Sequence, residues 1–290
     1  MKMAVASGKG GTGKTTLAVG LATSLHGKVR LIDCDVEEPN CHIFLKPTIT
    51  GTLPVSVPVP VVDEARCTAC GQCGEICQYN AIASLKTKAL VFPELCHGCG
   101  GCVKVCPASA ISEDRRNIGD IRIGRSGDVE FVEGRLRVGE AQSPPLIRAI
   151  KRYCLEDGIT LIDSPPGTSC PMVESVRGAD YVILVTEPTP FGRYDLGLAV
   201  EVVRKLGIPF GVVINRADIG DGRTRDDCAA EGIRILLEIP DDRRIAEAYS
   251  RGEPALEAVP DLGGALRVLH HAVREAVYAV QADSGKSQRA

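Results

Sequence analysis

Two cysteine ladders constrain this chain more than any other feature: Cys67-x2-Cys70-x2-Cys73-x3-Cys77, and Cys96-x2-Cys99-x2-Cys102-x3-Cys106, which repeats the first 29 positions later. Three closely spaced thiolates can wrap one iron-sulfur cube while the fourth reaches a neighbouring cube. By that crossed logic Cys67, Cys70, Cys73 and Cys106 hold one 4Fe-4S cluster, and Cys96, Cys99, Cys102 and Cys77 hold the other. Ala81-Ile82 and Ala110-Ile111 recur at the same offset, so the segment reads as a duplicated unit. Tetrahedral zinc, the competing occupant of paired C-x2-C motifs, does not explain four-cysteine ladders repeated at one spacing. Pro107 follows the second ladder but Gln78 follows the first, a change near sulfur that removes no ligand. His97 lies inside the second ladder out of ligand phase and is expected to face solvent or a partner.

The same chain opens with a phosphate-binding pattern, Gly8-Lys9-Gly10-Gly11-Thr12-Gly13-Lys14-Thr15-Thr16, placed after an apolar strand pattern and at the start of a helical one. Glycines let backbone amides converge on phosphate oxygens, and the helix N-terminus adds partial positive charge. In a loop of this kind Lys14 contacts the β and γ phosphates of ATP, and the Thr15 hydroxyl oxygen is offered to Mg2+.

Length and patterning supply the frame. A chain of 290 residues, 44% of them hydrophobic, can bury a substantial core. Its 34 basic and 37 acidic side chains give a net charge of -3, without the basic stripe that nucleic-acid binding requires, so no nucleic-acid partner is expected. No apolar run approaches the roughly 20 residues of a membrane span and no charged leader precedes the phosphate loop, so no stable membrane insertion and a cytoplasmic location are expected. Thirteen cysteines in that compartment argue for thiolates held by metal and against a disulfide scaffold. Short apolar runs alternate with helical patterns, the signature of an α/β fold with a parallel sheet. Strands are expected at Met3–Ser7, Val29–Asp33, Ile159–Asp163, Tyr181–Thr186, Phe210–Ile214 and Ile235–Ile239, and helices at Lys14–Leu25, Pro145–Leu155, Gly192–Leu206, Ile245–Ser250 and Leu262–Val280. Pro54, Pro58 and Pro60 lead into the ladders, and the alternating stretch from Asp128 to Val138 reads as a hairpin. The expected organisation is a small cluster domain at 63–113 inserted into a nucleotide-binding domain formed by 1–62 and 114–290. The polar segment Gln281–Ala290 is expected to fray.

Lys9, just after the first glycine, marks the deviant Walker A motif, and the chain resembles the MinD, Mrp and nitrogenase iron-protein family of P-loop ATPases. The resemblance implies a deviant Walker A P-loop NTPase fold and a homodimer formed on ATP, with Lys9 reaching across it. It makes Leu31-Ile32-Asp33-Cys34-Asp35 switch I, with Asp35 orienting the attacking water on the metal side and Asp33 near the metal. It makes the segment Leu161–Thr168 the Walker B and switch II region, with Asp163 facing the metal and the Gly167 amide at the γ-phosphate. Asn215 and Arg216 then match the adenine-recognition element, and Pro240 and Asp241 the loop that closes over the base. The ladder segment resembles a bacterial-type ferredoxin of α+β form. Cys34, Cys41, Cys154, Cys170 and Cys228 remain, mostly as packed thiols; Cys170 lies at the offset from Asp163 at which the nitrogenase iron protein carries a cluster ligand. Paired C-terminal cysteines of Mrp-type carriers are absent from the sequence.

These features lead to an expected ATP-binding and ATP-hydrolysing switch whose two 4Fe-4S clusters transfer electrons or sense redox state in step with the dimer cycle, serving a redox partner protein or metalloprotein client. The alternatives are an iron-sulfur or metal-cofactor assembly or delivery factor, and a MinD-like positioning ATPase with structural clusters. Against the last, the final helix carries His270 and His271 and runs into a polar tail instead of forming an amphipathic membrane anchor.

Overall fold

The structure, a computed structural model, describes residues 1–287. Its strands are β1 (Lys2–Ala6), β2 (Val29–Asp33), β3 (Thr48–Val62), β4 (Ile82–Ser84), β5 (Ala89–Val91), β6 (Ile111–Ser126), β7 (Val129–Leu136), β8 (Ile159–Asp163), β9 (Tyr181–Thr186), β10 (Phe210–Asn215) and β11 (Ile235–Ile239). Its helices are α1 (Lys14–Ser24), α2 (Cys41–Leu45), α3 (Gln72–Ile76), α4 (Gly101–Val105), α5 (Pro144–Lys151), α6 (Cys170–Val176), α7 (Pro190–Lys205), α8 (Arg223–Ala230), α9 (Arg243–Ser250), α10 (Ala255–Ala258) and α11 (Asp261–Ser287).

Two compact units emerge, the first from Met1–Thr52, Arg122–Arg135 and Ile147–Ala290, the second from Leu53–Ile121 and Leu136–Leu146. A nine-stranded sheet has the order β11-β10-β9-β1-β8-β2-β7-β6-β3. From β11 to β7 every described pairing is parallel. The fold is therefore an α/β fold with a mostly parallel sheet, as expected. Central strands covered on both faces need no polar alternation, and all six residues of β9 are buried. Below the sheet, Leu17, Ala18 and Leu21 of α1 share one apolar cluster with Leu266, Leu269 and Val273 of α11 and with Phe131 of β7. A Cβ on Gly20 would come within 2.9 Å of Leu266 Cδ1, so this residue permits the close approach of α1 to α11.

In the second unit, β4 and β5 form an antiparallel pair, and α3 and α4 each follow a left-handed glycine, Gly71 at φ 90° and Gly100 at φ 71°. Its apolar interior is small and contains sulfur: Cys73 packs with Ile82, Ala89 and Ile111, and Cys96 with Val59 and Ala81.

Several expectations change. The stretch Asp128–Val138 does not fold back on itself: β7 is one strand, and the reversal lies before it, with Gly127 at φ 53° joining it to β6. Strands β3 and β6 were hidden by Pro54, Pro58 and Pro60 in one and the charged run Glu113–Arg116 in the other. Proline costs a ladder hydrogen bond except at an edge, and β3 is the edge strand of the sheet. Helix α5 stops at Lys151, short of Leu155, and α11 continues past Val280 to Ser287; the rest of the expected frayed tail, 288–290, lies outside the described residues. Among the described residues no helix is long and apolar enough to cross a membrane.

Phe131, fully buried at the centre of the first unit, offers a test of this core. Phe131→Ala is expected to lower stability by about 3–5 kcal/mol, read as a lower denaturant midpoint at unchanged slope.

Candidate functional site

Strand β1 delivers the phosphate loop to the carboxyl edge of the sheet, between β8 and β9. Ligands in open α/β sheets gather at that edge. Gly13 turns the chain into α1 at φ 96°, and a Cβ there would sit 2.5 Å from Asn215 Nδ2. Asn215 Nδ2 donates to the Thr12 carbonyl oxygen at 2.9 Å, so the base-side loop is tied to the phosphate loop directly. A cavity of about 410 Å3 lies there, lined by Gly10, Gly11, Gly13, Lys14, Thr15, Thr16, Asp35, Asn215, Arg216, Pro240 and Asp241 among others. That volume falls in the range of small-molecule sites.

Buried carboxylates set the electrostatics. Asp33 is in register with Asp163 on one side and Glu133 on the other, so three acids lie in a row across three adjacent strands, ending β2 and β8 and lying within β7. Asp163 Oδ2 accepts from the Thr15 hydroxyl at 2.7 Å and the Cys41 thiol at 3.3 Å, while its Oδ1 is buried without a protein partner. Asp33 is consumed by backbone: Oδ1 accepts from Asp35 N, and Oδ2 from Asn40 N and Cys41 N, each at 3.0 Å. It holds the loop from Asp35 to Cys41 in shape, rather than facing the metal site. Burial and then the charge of Asp163 push its carboxyl well above the usual range. Burial also raises Asp163, opposed by the Thr15 hydrogen bond and Lys14. Asp35 rises to about 6, from burial first and Asp163 second, with Lys14 pulling the other way. Burial lowers Lys14 while Asp163 and Asp35 raise it.

Orphaned oxygens at Asp163 Oδ1 and at the buried Thr12 hydroxyl, beside Thr15 and Asp35, form a hard donor set that suits Mg2+ and phosphate. Other expected residues lie elsewhere. Lys9 Nζ pairs with Glu187 Oε2 at 3.2 Å, and Arg216 Nη1 takes the other oxygen of Glu187 at 2.6 Å. Arg216, in the left-handed region at φ 52°, also approaches Asp241 Oδ1 at 3.6 Å. Gly8 presses on α7, where a Cβ would meet Asp195 O at 2.0 Å. The Gly167 amide, expected at the γ-phosphate, donates to the Ser7 carbonyl oxygen at 3.0 Å. Glu187 went unread because a lone acid after an apolar strand carries no spacing signal, and Cys41 was expected only as a packed thiol.

In the second unit the eight ladder cysteines line two cavities. One is bounded by Cys67, Cys70, Cys73 and Cys106, the other by Cys77, Cys96, Cys99 and Cys102. Cys70 and Cys99, equivalent positions in the two ladders, are exposed. Amides point at sulfur in both: Ala110 N donates to Cys106 Sγ at 3.3 Å and Gly98 N to Cys96 Sγ at 3.4 Å. For Cys77, burial raises the thiol, but the amides of Tyr79, Ala81, Ile82 and Asn80 outweigh it and the net direction is down. Four sulfur donors per cavity suit an iron-sulfur cube. His97 is exposed and stacks on Tyr79, with centroids 3.5 Å apart. Cys170 is exposed at the start of α6; Cys34, Cys41 and Cys228 are buried and Cys154 half-buried.

The family model described as CobQ/CobB/MinD/ParA nucleotide binding domain matches residues 3–255. An uncharacterized protein of Methanocaldococcus jannaschii, MJ0579, is 33% identical over 267 residues, covering 89% of this chain and 92% of that protein. An iron-sulfur cluster carrier protein of Pyrococcus horikoshii is 24% identical over 272 residues, covering 87% of this chain and 78% of its own. Among solved structures, the septum site-determining protein MinD of Pyrococcus horikoshii OT3, complexed with Mg-ADP, superposes with a TM-score of 0.57 at 19% identity, over 95% of this chain and 96% of that one.

The position of Asp35 gives a signed expectation. A carboxyl raised in the folded state binds more protons than the unfolded chain between about 3.8 and 6, so its contribution to stability falls as pH rises through that window and stays low above it. Asp35→Asn is expected to raise the melting temperature relative to wild type at pH 7.5, with the gain shrinking as the pH is lowered from about 6 towards 4, measured by thermal melts of nucleotide-free protein.

Proposed function

Because the chain belongs to the CobQ/CobB/MinD/ParA nucleotide-binding family, we propose that it is an Mg2+-dependent ATPase that assembles or delivers iron-sulfur units to a metalloprotein client. The observation that carries the second half is the pair of four-cysteine cavities, each with three sheltered sulfurs and one exposed, at Cys70 and Cys99. An exposed sulfur ligand is where an acceptor thiol can enter and exchange. The named carrier of Pyrococcus horikoshii, similar over most of its length, supports the same direction.

For the hydrolytic half, Lys14 would bind the β and γ phosphates, and Gly8, Gly10, Gly11, Gly13, Thr12 and Thr16 would shape the cradle. Thr15, Asp35 and Asp163 would hold Mg2+, which supplies charge neutralisation on the phosphates. Asp35 would accept the hydrogen bond that orients the attacking water and take its proton, as the water oxygen bonds to the γ-phosphorus and the bond from the γ-phosphorus to the bridging oxygen breaks, leaving ADP and inorganic phosphate. Asn215, Arg216, Pro240 and Asp241 would hold the base, with Gly167 closing on the γ-phosphate once released from Ser7. Lys9, now paired with Glu187, would be freed to reach a second copy in an ATP-dependent homodimer. The cluster sites would be Cys67, Cys70, Cys73 with Cys106, and Cys96, Cys99, Cys102 with Cys77, in an inserted domain of residues 63–113.

A second reading keeps both clusters resident as electron carriers for a redox partner, favoured by the amide-to-sulfur hydrogen bonds that settle charge on Cys96 and Cys106. One experiment separates the two. Anaerobically reconstituted protein carrying radiolabelled iron is mixed with an apo acceptor of a 4Fe-4S cluster. Delivery predicts transfer of label, faster by at least about fivefold with ATP than with ADP. Label that stays on the protein through many turnovers overturns delivery, and reduction of an acceptor by the retained clusters would then establish the electron-transfer reading.

The crossed ligand sets make a further expectation. Cys73→Ser and Cys106→Ser should each remove about four of about eight irons, and the double variant no more than either alone, by iron analysis of reconstituted protein.

A further inference from the structure

Glu133 is a charged residue with no part in the chemistry above, and it is fully buried. It continues the row of acids across the sheet, since Asp33 is in register with Asp163 and with Glu133, which lies within β7. Where Asp163 has Lys14, Thr15 and Cys41, Glu133 has three cationic or imidazole partners. Arg122 Nη1 donates to Oε1 at 2.7 Å and Arg135 Nε to Oε1 at 3.0 Å, while His42 Nδ1 approaches Oε2 at 3.0 Å as a close contact without hydrogen-bond alignment. His42 Nε2 meets Arg135 Nη2 at 3.1 Å, so the imidazole is hydrogen-bonded to an arginine on one side and lies against the carboxylate on the other.

The positions of those partners give the cluster its meaning. His42 follows Cys41 on α2, the short helix after switch I whose first amides are gripped by Asp33 and whose thiol touches Asp163. Arg122 and Arg135 are the first and last residues of the 122–135 segment, where the chain enters the first unit from Ile121 and leaves it at Leu136. A second tie, Ser126 Oγ to the Leu45 carbonyl oxygen at 2.5 Å, fastens the far end of α2 to β6.

We propose that His42 and Glu133 form a strut that conveys the state of switch I to the two points where the chain crosses into the cysteine-bearing unit. This rests on the ATP-dependent reading above. Cys41 and Thr15 share a single oxygen, Asp163 Oδ2. When Thr15 and Asp163 turn to metal and phosphate, Cys41 loses its acceptor and α2 is free to shift. His42 then withdraws from Glu133, and Arg122 and Arg135 redistribute around a carboxylate that cannot remain unpaired in a dry interior. The backbone at both crossings moves with them. The pair are positioning residues and touch no substrate.

The test is hydrogen exchange by mass spectrometry on the full, anaerobically reconstituted chain, with and without Mg2+ and a non-hydrolysable ATP analogue, reading peptides from 53–62, 111–121 and 136–146. His42→Ala leaves Glu133 compensated by two arginines, so the fold survives; Glu133→Gln serves as the second variant. Wild type is expected to change exchange in these peptides on nucleotide binding. His42→Ala is expected to shrink that change at least about fivefold, with analogue affinity within about threefold of wild type and nucleotide-free exchange unaltered. A full nucleotide response in His42→Ala overturns the strut and leaves ATP gating intact. Faster exchange without nucleotide would make the contact merely structural and also overturns it. No response in wild type overturns ATP gating and the strut together.

Discussion

Placing carboxylates side by side at the dry carboxyl edge of a parallel sheet is the constraint on which the first unit is built. Asp163 and Asp33 end β8 and β2 in register with each other and with Glu133 inside β7, each essentially without solvent. An unpaired buried charge costs several kcal/mol, so each needs its own compensation. The three solutions differ. Asp163 leans on Thr15, Cys41 and the charge of Lys14; Asp33 on three backbone amides; Glu133 on two arginines and a histidine. Local geometry follows from these needs. The switch loop must curl so that Asp35, Asn40 and Cys41 present amides to Asp33, and the left-handed Gly13 must aim α1 so that Thr15 reaches Asp163.

A site held by shared acceptors is poised to change. Asp163 Oδ2 serves two donors, and Glu187 serves Lys9 on one oxygen and Arg216 on the other. On the proposed roles, nucleotide would compete for members of both sets, phosphate and metal for Thr15 and Asp163 and base for Arg216, and so would loosen contacts on α2 and around Lys9 at once, with no need for a dedicated hinge.

Much of this was legible in the sequence, and the rest was illegible for physical reasons. Fully buried strands such as Tyr181–Thr186 announce themselves as apolar runs, and the phosphate loop is a local motif whose function is set by its own backbone. The ladders are equally local, and their period separates Cys77 and Cys106 into opposite groups before any coordinates are known. By contrast β3 hides behind prolines that only an edge strand tolerates, and β6 behind a charged run. Helix α2 has five residues, too few for a periodic signal. Cys41, Glu133 and Glu187 gain their roles only through register and tertiary contact. The reversal at Gly127 was misread because alternating residues after Asp128 fit one half-buried strand as well as a short hairpin.

The second unit carries a tension that bears on its function. Its interior counts Cys73 and Cys96 among few buried apolar side chains, so sulfur is part of what holds it together. With clusters bound in these cavities, as proposed, a small unit with so little core would draw part of its order from metal, since ligand binding and folding share one free energy. A cluster released from such a site takes part of the fold with it. Delivery from these cavities is then uphill unless another source supplies the difference, and a nucleotide site in the same chain is such a source. Retention as a wire needs no such supply, because electron transfer leaves the ligands in place. On that reading, a full phosphate loop in the same chain fits a cycle in which the cysteine-bearing unit is loosened and reset.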